Sequence, residues 1–545
     1  MKRVYFILGA ILLLAFGLRI WDVGNRALFG DEAAYAFRAV GYLDYLGTSF
    51  QTTPVEWYAN EALPWWTRLS FHDHPPLFFL VAHWFFNFLG DTAFAARLPS
   101  ALAGTASVLL IYFLVKKLFE KETLAFGAAL LFAVDGAMAG ISRTVLMEPL
   151  LILLILFNIF CFFKYLEDRR WWWVFGVSLG LVALTKYIGL FILPVYFIYL
   201  LIYRRGVFRD RAFYAAGGLA LLLFSPVMVY NFFLFLARGH FDLQLAYFLG
   251  QETPEWTGLL GKAQDPFSEF FYHLFRSYGW AAPTAALLGV SYSLWWFLKQ
   301  KNERPMLVFW WLYLIFATIL FIFIGSAERF LTLYGPVFVI FTAILFFQMF
   351  VAGKFWKLTV MFLGIAFLIL QGRFFLEERY WSQPDYGVAE LDQYLEKEFG
   401  GKVSAVVPAT DNLHLSSIGR KFAEAQDKDL PVGFFMMIYN DNVEITTLQW
   451  IFYRRFFYHS IPMFFVENFF DVLRERGTGF YKGFDLYFVQ STENTLINPA
   501  KADKKAGEEF EAQIRRQGIR PVKEIYGSHS LLMFKVYKFK IEDLF

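Results

Sequence analysis

The sequence predicts an α-helical polytopic membrane protein with about eleven transmembrane helices and a C-terminal extracytoplasmic α/β domain. Three observations lead there. Of 545 residues, 58% are hydrophobic and only 18% charged, against roughly 25% charged in soluble domains. Apolar runs long enough to span a bilayer recur as far as residue 374, and beyond about 376 short apolar stretches alternate with amphipathic ones.

A helix rises ~1.5 Å per residue across ~30 Å of hydrocarbon, so runs of about 17 or more apolar residues are candidate spans. They lie near 4–21, 98–116, 124–141, 146–166, 171–186, 187–203, 212–236, 279–298, 306–325, 328–350 and 356–374. The first follows Met1-Lys2-Arg3 and resembles a signal peptide. It is long enough to span and no Ala-x-Ala-like cleavage site follows, so it reads as an uncleaved helix. The stretch 171–203 would measure ~50 Å as one helix; Lys186 and nearby Gly189 divide it into two spans.

The run 76–90 is short for a crossing, at ~22 Å. Charge decides its placement. If it stays at the outer interface, Lys2/Arg3, Lys116/Lys117/Lys121, Lys164/Arg169/Arg170, Arg204/Arg205/Arg209/Arg211, Lys299/Lys301/Arg304 and Lys354/Lys357 all face one side, the cytoplasm by the positive-inside rule. The expected location is therefore the cell (plasma or inner) membrane, multi-pass, with a cytoplasmic N-terminus. Residues 1–375 form the membrane domain, with outer loops near 22–97 and 237–278, and residues 376–545 the extracytoplasmic domain. Within the latter, 402–407, 484–490 and 530–537 read as strands, and 387–399, 463–477 and 506–517 as helices.

A formal net charge of +3, with basic residues spread over loops, argues against nucleic acid as a partner. Cys161 is the only cysteine and sits in an apolar run, so neither an intrachain disulfide nor a multi-cysteine metal site can form.

With the inner clusters set aside, the outer helix ends hold Asp31, Glu32, Arg97, Arg143, Glu148, Lys186, Glu328 and Arg329. Ionisable groups near lipid are costly and usually face a wet cavity. Convergence on one leaflet is the main functional signal. Gly30-Asp31-Glu32-Ala33-Ala34-Tyr35 opens a helix; Asp31 reads either as a cap favouring the dipole or as a general base for an attacking hydroxyl, with Glu32 in support. Glu148, before Pro149, reads as a helix-end charge or a catalytic carboxylate. Arg97, Arg143, Lys186 and Arg329 read as head-group anchors or as cations for a lipid phosphate. His72-Asp73-His74-Pro75-Pro76 has metal-ligand residue types at weak spacing, and a structural or acceptor-positioning role is preferred. Asp135, within about two turns of an outer helix end, is a candidate to line the cavity.

In order, Gly-Asp-Glu-Ala-Ala-Tyr (30–35), His-Pro-Pro-Leu (74–77), Arg-Leu-Pro-Ser-Ala-Leu (97–102), Ser-Arg (142–143) before Glu148, Leu-Thr-Lys (184–186) and Glu-Arg-Phe (328–330) resemble the GT-C membrane glycosyltransferases, in the protein O-mannosyltransferase and aminoarabinose-transferase branch. The resemblance implies a GT-C-like fold, a polyprenyl-phosphate sugar donor, inversion at the anomeric carbon, and Asp31 as the base. Glu148 stands where relatives often carry Asp. Arg97, Arg143, Lys186 and Arg329 would meet the donor phosphate; Tyr35, His72, His74 and Tyr187 would position the acceptor. No cofactor is expected, a divalent metal being the less favoured alternative. The expected partners are the lipid-linked donor, a protein, lipid or glycan acceptor, and membrane lipids. Two other readings compete: a lipid-linked sugar transporter or flippase, and a polymer ligase using a diphosphate lipid. Transporters commonly carry related halves, and no such repeat is evident.

Overall fold

Each long apolar run folds as helix, because a chain in hydrocarbon has to satisfy its backbone donors and acceptors internally. A computed structural model describes residues 2–545 apart from 29, 49–50, 257–265, 300–302, 378–384, 408–409, 427–428, 441–442 and 496–504. Lys301 of the inner clusters lies outside the described residues. Among them, eight stretches are long and apolar enough to span: Lys2–Ile20, Ala93–Phe119, Glu148–Glu167, Arg211–Arg238, Ala281–Lys299, Arg304–Ile324, Phe330–Ala352 and Lys354–Glu377. The other three expected spans fall on shorter helical pieces, Glu122–Val134 with Gly136–Ile141, Trp172–Thr185, and Tyr187–Tyr203. The run at 76–90 becomes the helix Leu77–Leu89, 13 residues long, or ~20 Å.

The chain packs as two units: Met1–Val23, Trp66–Phe85 and Phe94–Gln383 form the first, and Gly24–Trp65, Phe86–Ala93 and Pro384–Phe545 the second. Residues 24–65 and 86–93, expected inside the membrane domain, instead pack with the C-terminal segment. Side chains and backbone groups far apart in sequence tie them there. Gly30 N donates to Thr446 Oγ1 at 2.8 Å, Leu413 N to Ala59 O at 3.1 Å, and Asn412 Nδ2 to Val55 O at 3.1 Å.

Helices in the first unit approach closely where small residues meet, as in membrane packing generally. A Cβ on Gly176 would lie 2.5 Å from Ala216 O, and one on Gly289 would lie 2.3 Å from Phe341 O. Asn158 knots three helices: its Nδ2 donates to Ser178 Oγ at 2.8 Å, and its Oδ1 accepts from Tyr196 OH at 2.7 Å. Leu222, Phe232, Phe355 and Phe362 point outward and exposed, as a lipid-facing surface requires.

The expected span 124–141 is not one helix, because it breaks at Asp135. Asp135 Oδ1 accepts from Met138 N at 2.9 Å and caps Gly136–Ile141; Gln371 Oε1 accepts from Gly136 N at 2.9 Å. Fully buried Arg19 donates to Ala133 O at 3.0 Å, covering a carbonyl that the break releases. Asp135 thus serves as a cap.

The second unit holds a five-stranded sheet in the order Met463–Phe465, Phe435–Tyr439, Asp485–Ser491, Leu532–Lys540, Lys523–Tyr526. The first three strands are parallel, Leu532–Lys540 runs against them, and Lys523–Tyr526 pairs antiparallel with Leu532–Lys540. Phe435–Tyr439 is apolar throughout and buried at every position, as expected of a parallel strand covered on both faces. The expected strand 402–407 shrinks to Val403–Ser404 in a separate two-stranded pair. Helices Val388–Phe399, Val466–Arg476 and Lys505–Arg516 fall close to their expected ranges.

Candidate functional site

In the first unit, the site begins at two helix ends of opposite polarity. Glu148 opens Glu148–Glu167, where the positive end of the macrodipole favours an anion; Lys186 follows the last turn of Trp172–Thr185, where the negative end favours a cation. At Lys186 the backbone turns extended, with φ −165 and ψ 135, and its side chain reaches Glu148. Lys186 Nζ stands 2.6 Å from Glu148 Oε1, with the side chains 2% and 1% exposed. The ammonium lies 4.3 Å from the centre of the Phe330 ring, and the Arg329 guanidinium lies 5.0 Å from that ring. Desolvating two charges costs several kcal/mol per ion, so an ion pair this deep is weak evidence for stability. A charge pair at such depth makes these helix ends the candidate functional site of this unit.

A second polar group holds the turn that carries Lys186. The adjacent Tyr187 donates to Asp242 Oδ2 at 2.5 Å, Asn231 Nδ2 donates to the same oxygen at 2.7 Å, and Asp242 N donates back to Asn231 Oδ1 at 2.8 Å. Asp242 also caps Leu243–Leu249, while Leu243 N donates to His72 O at 2.7 Å. Burial raises the Asp242 carboxyl above its usual range, against the pull of the Tyr187 hydroxyl. His72, Asp73 and His74 are buried together, with His74 Nδ1 3.0 Å from Asp73 Oδ2 and His72 Nδ1 3.9 Å from Asp73 Oδ1. Imidazoles and a carboxylate are donor types for a cation. The ring of Trp256 lies between two imidazoles, 5.5 Å from His72 and 4.7 Å from His240.

Arg97 and Arg143 each have a structural partner. Arg97 Nη1 donates to Val23 O at 2.9 Å and Arg143 Nη1 to Leu18 O at 2.9 Å, so both serve carbonyls at or just past the C-terminal end of the first helix. Glu328 pairs with Arg276 at 2.6 Å.

In the second unit, Asp31 opens the helix Asp31–Gly41, and the cap position belongs to Gly30. With φ 58 and ψ −140, Gly30 adopts a conformation closed to other residues in practice. The cap reading of Asp31 is therefore replaced: Asp31 is the first helical residue, exposed, with Glu32 half-buried and Tyr35 buried behind it. The helix is pinned at its far end, where Tyr458 OH donates to Phe37 O at 3.3 Å and Arg38 Nη2 bonds Asp44 Oδ1 at 2.8 Å.

Sequence reading missed Asp242 and Asn231 as partners of Tyr187. The signal for Asp242 was present, an acid directly before a short apolar helix; Asn231 lies within an apolar run and carries no such mark.

Residues 73–230 match the family model described as dolichyl-phosphate-mannose-protein mannosyltransferase. Among curated proteins, protein O-mannosyl-transferase 1 of Rattus norvegicus is 34% identical over 105 residues, covering 17% of this chain and 14% of that protein. The putative mannosyltransferase YkcB of Bacillus subtilis is 28% identical over 169 residues, covering 29% and 23%. The chain thus spans well under a third of the length of these relatives. Among solved structures, ArnT of Cupriavidus metallidurans bound to undecaprenyl phosphate aligns over 98% of both chains with a TM-score of 0.52 at 12% identity. The oligosaccharyltransferase of Archaeoglobus fulgidus aligns over 90% of this chain and 69% of its own, with a TM-score of 0.52 at 14% identity. The chain is a multi-pass membrane protein with the fold of the GT-C glycosyltransferases.

Proposed function

We propose that this protein is an inverting glycosyltransferase that moves a sugar from a polyprenyl-phosphate donor to a hydroxyl acceptor at the outer membrane face. The observation that carries the reading is the buried Lys186–Glu148 pair at the helix ends, with Phe330 against the ammonium. Two solved neighbours add support, the ArnT structure with undecaprenyl phosphate and an archaeal oligosaccharyltransferase with dolichol-phosphate and a peptide.

In this reading the exposed Asp31 carboxylate takes the proton of the acceptor hydroxyl as its oxygen attacks the anomeric carbon. The bond between that carbon and the phosphate oxygen breaks, and the lipid phosphate leaves with the electron pair. Lys186 and Arg329 neutralise the departing charge, so cations replace the general acid that glycoside hydrolysis requires. Arg97 and Arg143 are assigned to the same phosphate in addition to their backbone contacts. Glu148 holds Lys186 charged and aimed; being buried and ion-paired, it is the poorer base. Glu32 supports Asp31, and Tyr35, His72, His74 and Tyr187 position the acceptor side. No resident metal enters the scheme, and the acceptor is a protein, lipid or glycan.

A radiolabelled lipid-linked donor in proteoliposomes tests this. Transfer yields labelled acceptor and free lipid phosphate. Relocation of intact donor across the bilayer without a labelled product would instead establish transport.

A further inference from the structure

At the opposite end of the first unit from Lys186, helices Glu122–Val134, Gly335–Ala352 and Lys354–Phe374 leave a groove of about 190 Å³ between them. Gly127, Leu131, Ala343, Phe347, Phe350 and Gly364 are among its walls. The groove runs from Thr123 to Leu131 along one helix, a length of ~12 Å. Two of its walls are glycines with open space in front: a Cβ at Gly127 or Gly364 meets nothing within 4 Å. Neither glycine is there to let helices touch. The volume is below the ~300–1,000 Å³ of pockets for compact drug-sized ligands and suits a slender chain.

One end of the groove carries charges of both signs. Lys121 precedes the helix Glu122–Val134, and its ammonium lies 5.6 Å from the Phe347 ring centre; the Lys357 ammonium lies 5.2 Å from that of Phe350. Lys354 starts the third helix, and both Lys354 and Lys357 are exposed. Glu303 pairs with Lys121 and Glu122 with Lys116, which leaves the lysines of the third helix to set the sign at the mouth. This end carries the clusters assigned to the cytoplasm by the positive-inside rule.

We infer that this groove is a binding site for an anionic phospholipid of the cytoplasmic leaflet, with one acyl chain along Gly127 and Gly364 and the head-group phosphate at Lys354 and Lys357. An apolar slot and a basic mouth at head-group depth match the two halves of such a lipid and no soluble ligand. The site is independent of the sugar-transfer reading, since it uses none of the residues assigned to catalysis.

Native mass spectrometry of the full chain, released from bilayers of equal phosphatidylglycerol and phosphatidylcholine, tests it. The wild type should retain one phosphatidylglycerol in preference to phosphatidylcholine. Each Lys near a membrane surface is worth about a factor of five in binding, so K354Q and K357Q should each lower that preference about fivefold. Gly364→Leu and Gly127→Leu, which place a side chain in open space on a helix, should reduce retention of phosphatidylglycerol with unchanged thermal unfolding. Equal retention of the two lipids by the wild type overturns the inference. So does undiminished phosphatidylglycerol in both leucine variants, and so does displacement of the bound lipid by polyprenyl phosphate, which would make the groove a donor-tail site.

Discussion

Both units bury cations against carboxylates, and the chemistry of the cation differs. In the first unit Lys186, a point charge on a flexible stem, meets Glu148 where two helix dipoles already favour each sign. In the second, Arg454 and Arg455 use planar forks. Arg454 pairs with Asp392 Oδ1 at 2.8 Å and Asp91 Oδ2 at 3.4 Å; Arg455 pairs with the same Asp392 oxygen at 2.8 Å and Glu396 at 3.3 Å. His459 Nε2 adds a contact to Asp91 Oδ2 at 2.7 Å. Forks that engage several fixed partners lock a fold, here fastening 86–93 to the C-terminal segment, whereas an ammonium can exchange one anion for another without changing its geometry. The arginine cluster is read as structure and the lysine pair as a phosphate site.

The largest expected effect lies outside both clusters. Asp31→Asn should lower turnover by at least ~10²-fold, the usual worth of a general base, with donor affinity and unfolding temperature close to wild type because Gly30 is the cap. Near-normal transfer at saturating donor and acceptor would remove Asp31 from the mechanism. Lys186→Ala and Arg454→Ala are the direct contrast. Each leaves buried carboxylates without their main cation and should cost ~3–5 kcal/mol in stability. Only Lys186→Ala should weaken the lipid-phosphate donor, by ~10–100-fold. The double variant Lys186→Ala/Glu148→Gln should recover stability while donor binding stays weak. Recovery of both would return the pair to a purely structural role.

The arginine cluster also has a pH signature. Burial alone would raise the Asp91 carboxyl, yet Arg454 and His459 outweigh it and hold it far below the usual range; Asp392 is likewise lowered by Arg454 and Arg455 against burial. A lowered folded-state value contributes stability that is present above the ordinary aspartate value of 3.8 and lost as pH falls below it. Unfolding temperature should therefore drop below about pH 4, and less steeply in Arg454→Ala. The smallest effect belongs to Asp242→Asn. Aspartate accepts through both oxygens, Oδ1 from the Leu245 N cap and Oδ2 from Tyr187 and Asn231; asparagine has one acceptor oxygen, so with the cap kept its NH2 faces Tyr187 and the clamp weakens by ~1 kcal/mol. Donor KM should rise about fivefold with kcat unchanged, and an unaltered KM would separate the Tyr187 clamp from the Lys186 site.

What the sequence determined by itself were the features that depend on one stretch of chain and its solvent. Helix length against bilayer thickness located eight long apolar helices, and periodicity located helices such as Val388–Phe399 and the strand Asp485–Ser491. The ionisable residues at helix ends stood out because charge near lipid needs a reason, and Glu148 and Lys186, 38 positions apart, do meet. Tertiary structure decided what depends on partners far along the chain. The helix break at Asp135 rests on Arg19 and Gln371 supplying bonds that no local pattern encodes. The strand Phe435–Tyr439 is a uniform apolar run, without the alternation that marks a half-buried strand, because both of its faces are covered. Residues 24–65 pack with the C-terminal segment through side-chain and backbone bonds such as Gly30–Thr446. Such contacts are chosen by three-dimensional proximity, and a hydrogen-bond donor carries no mark in sequence of which distant acceptor it will find.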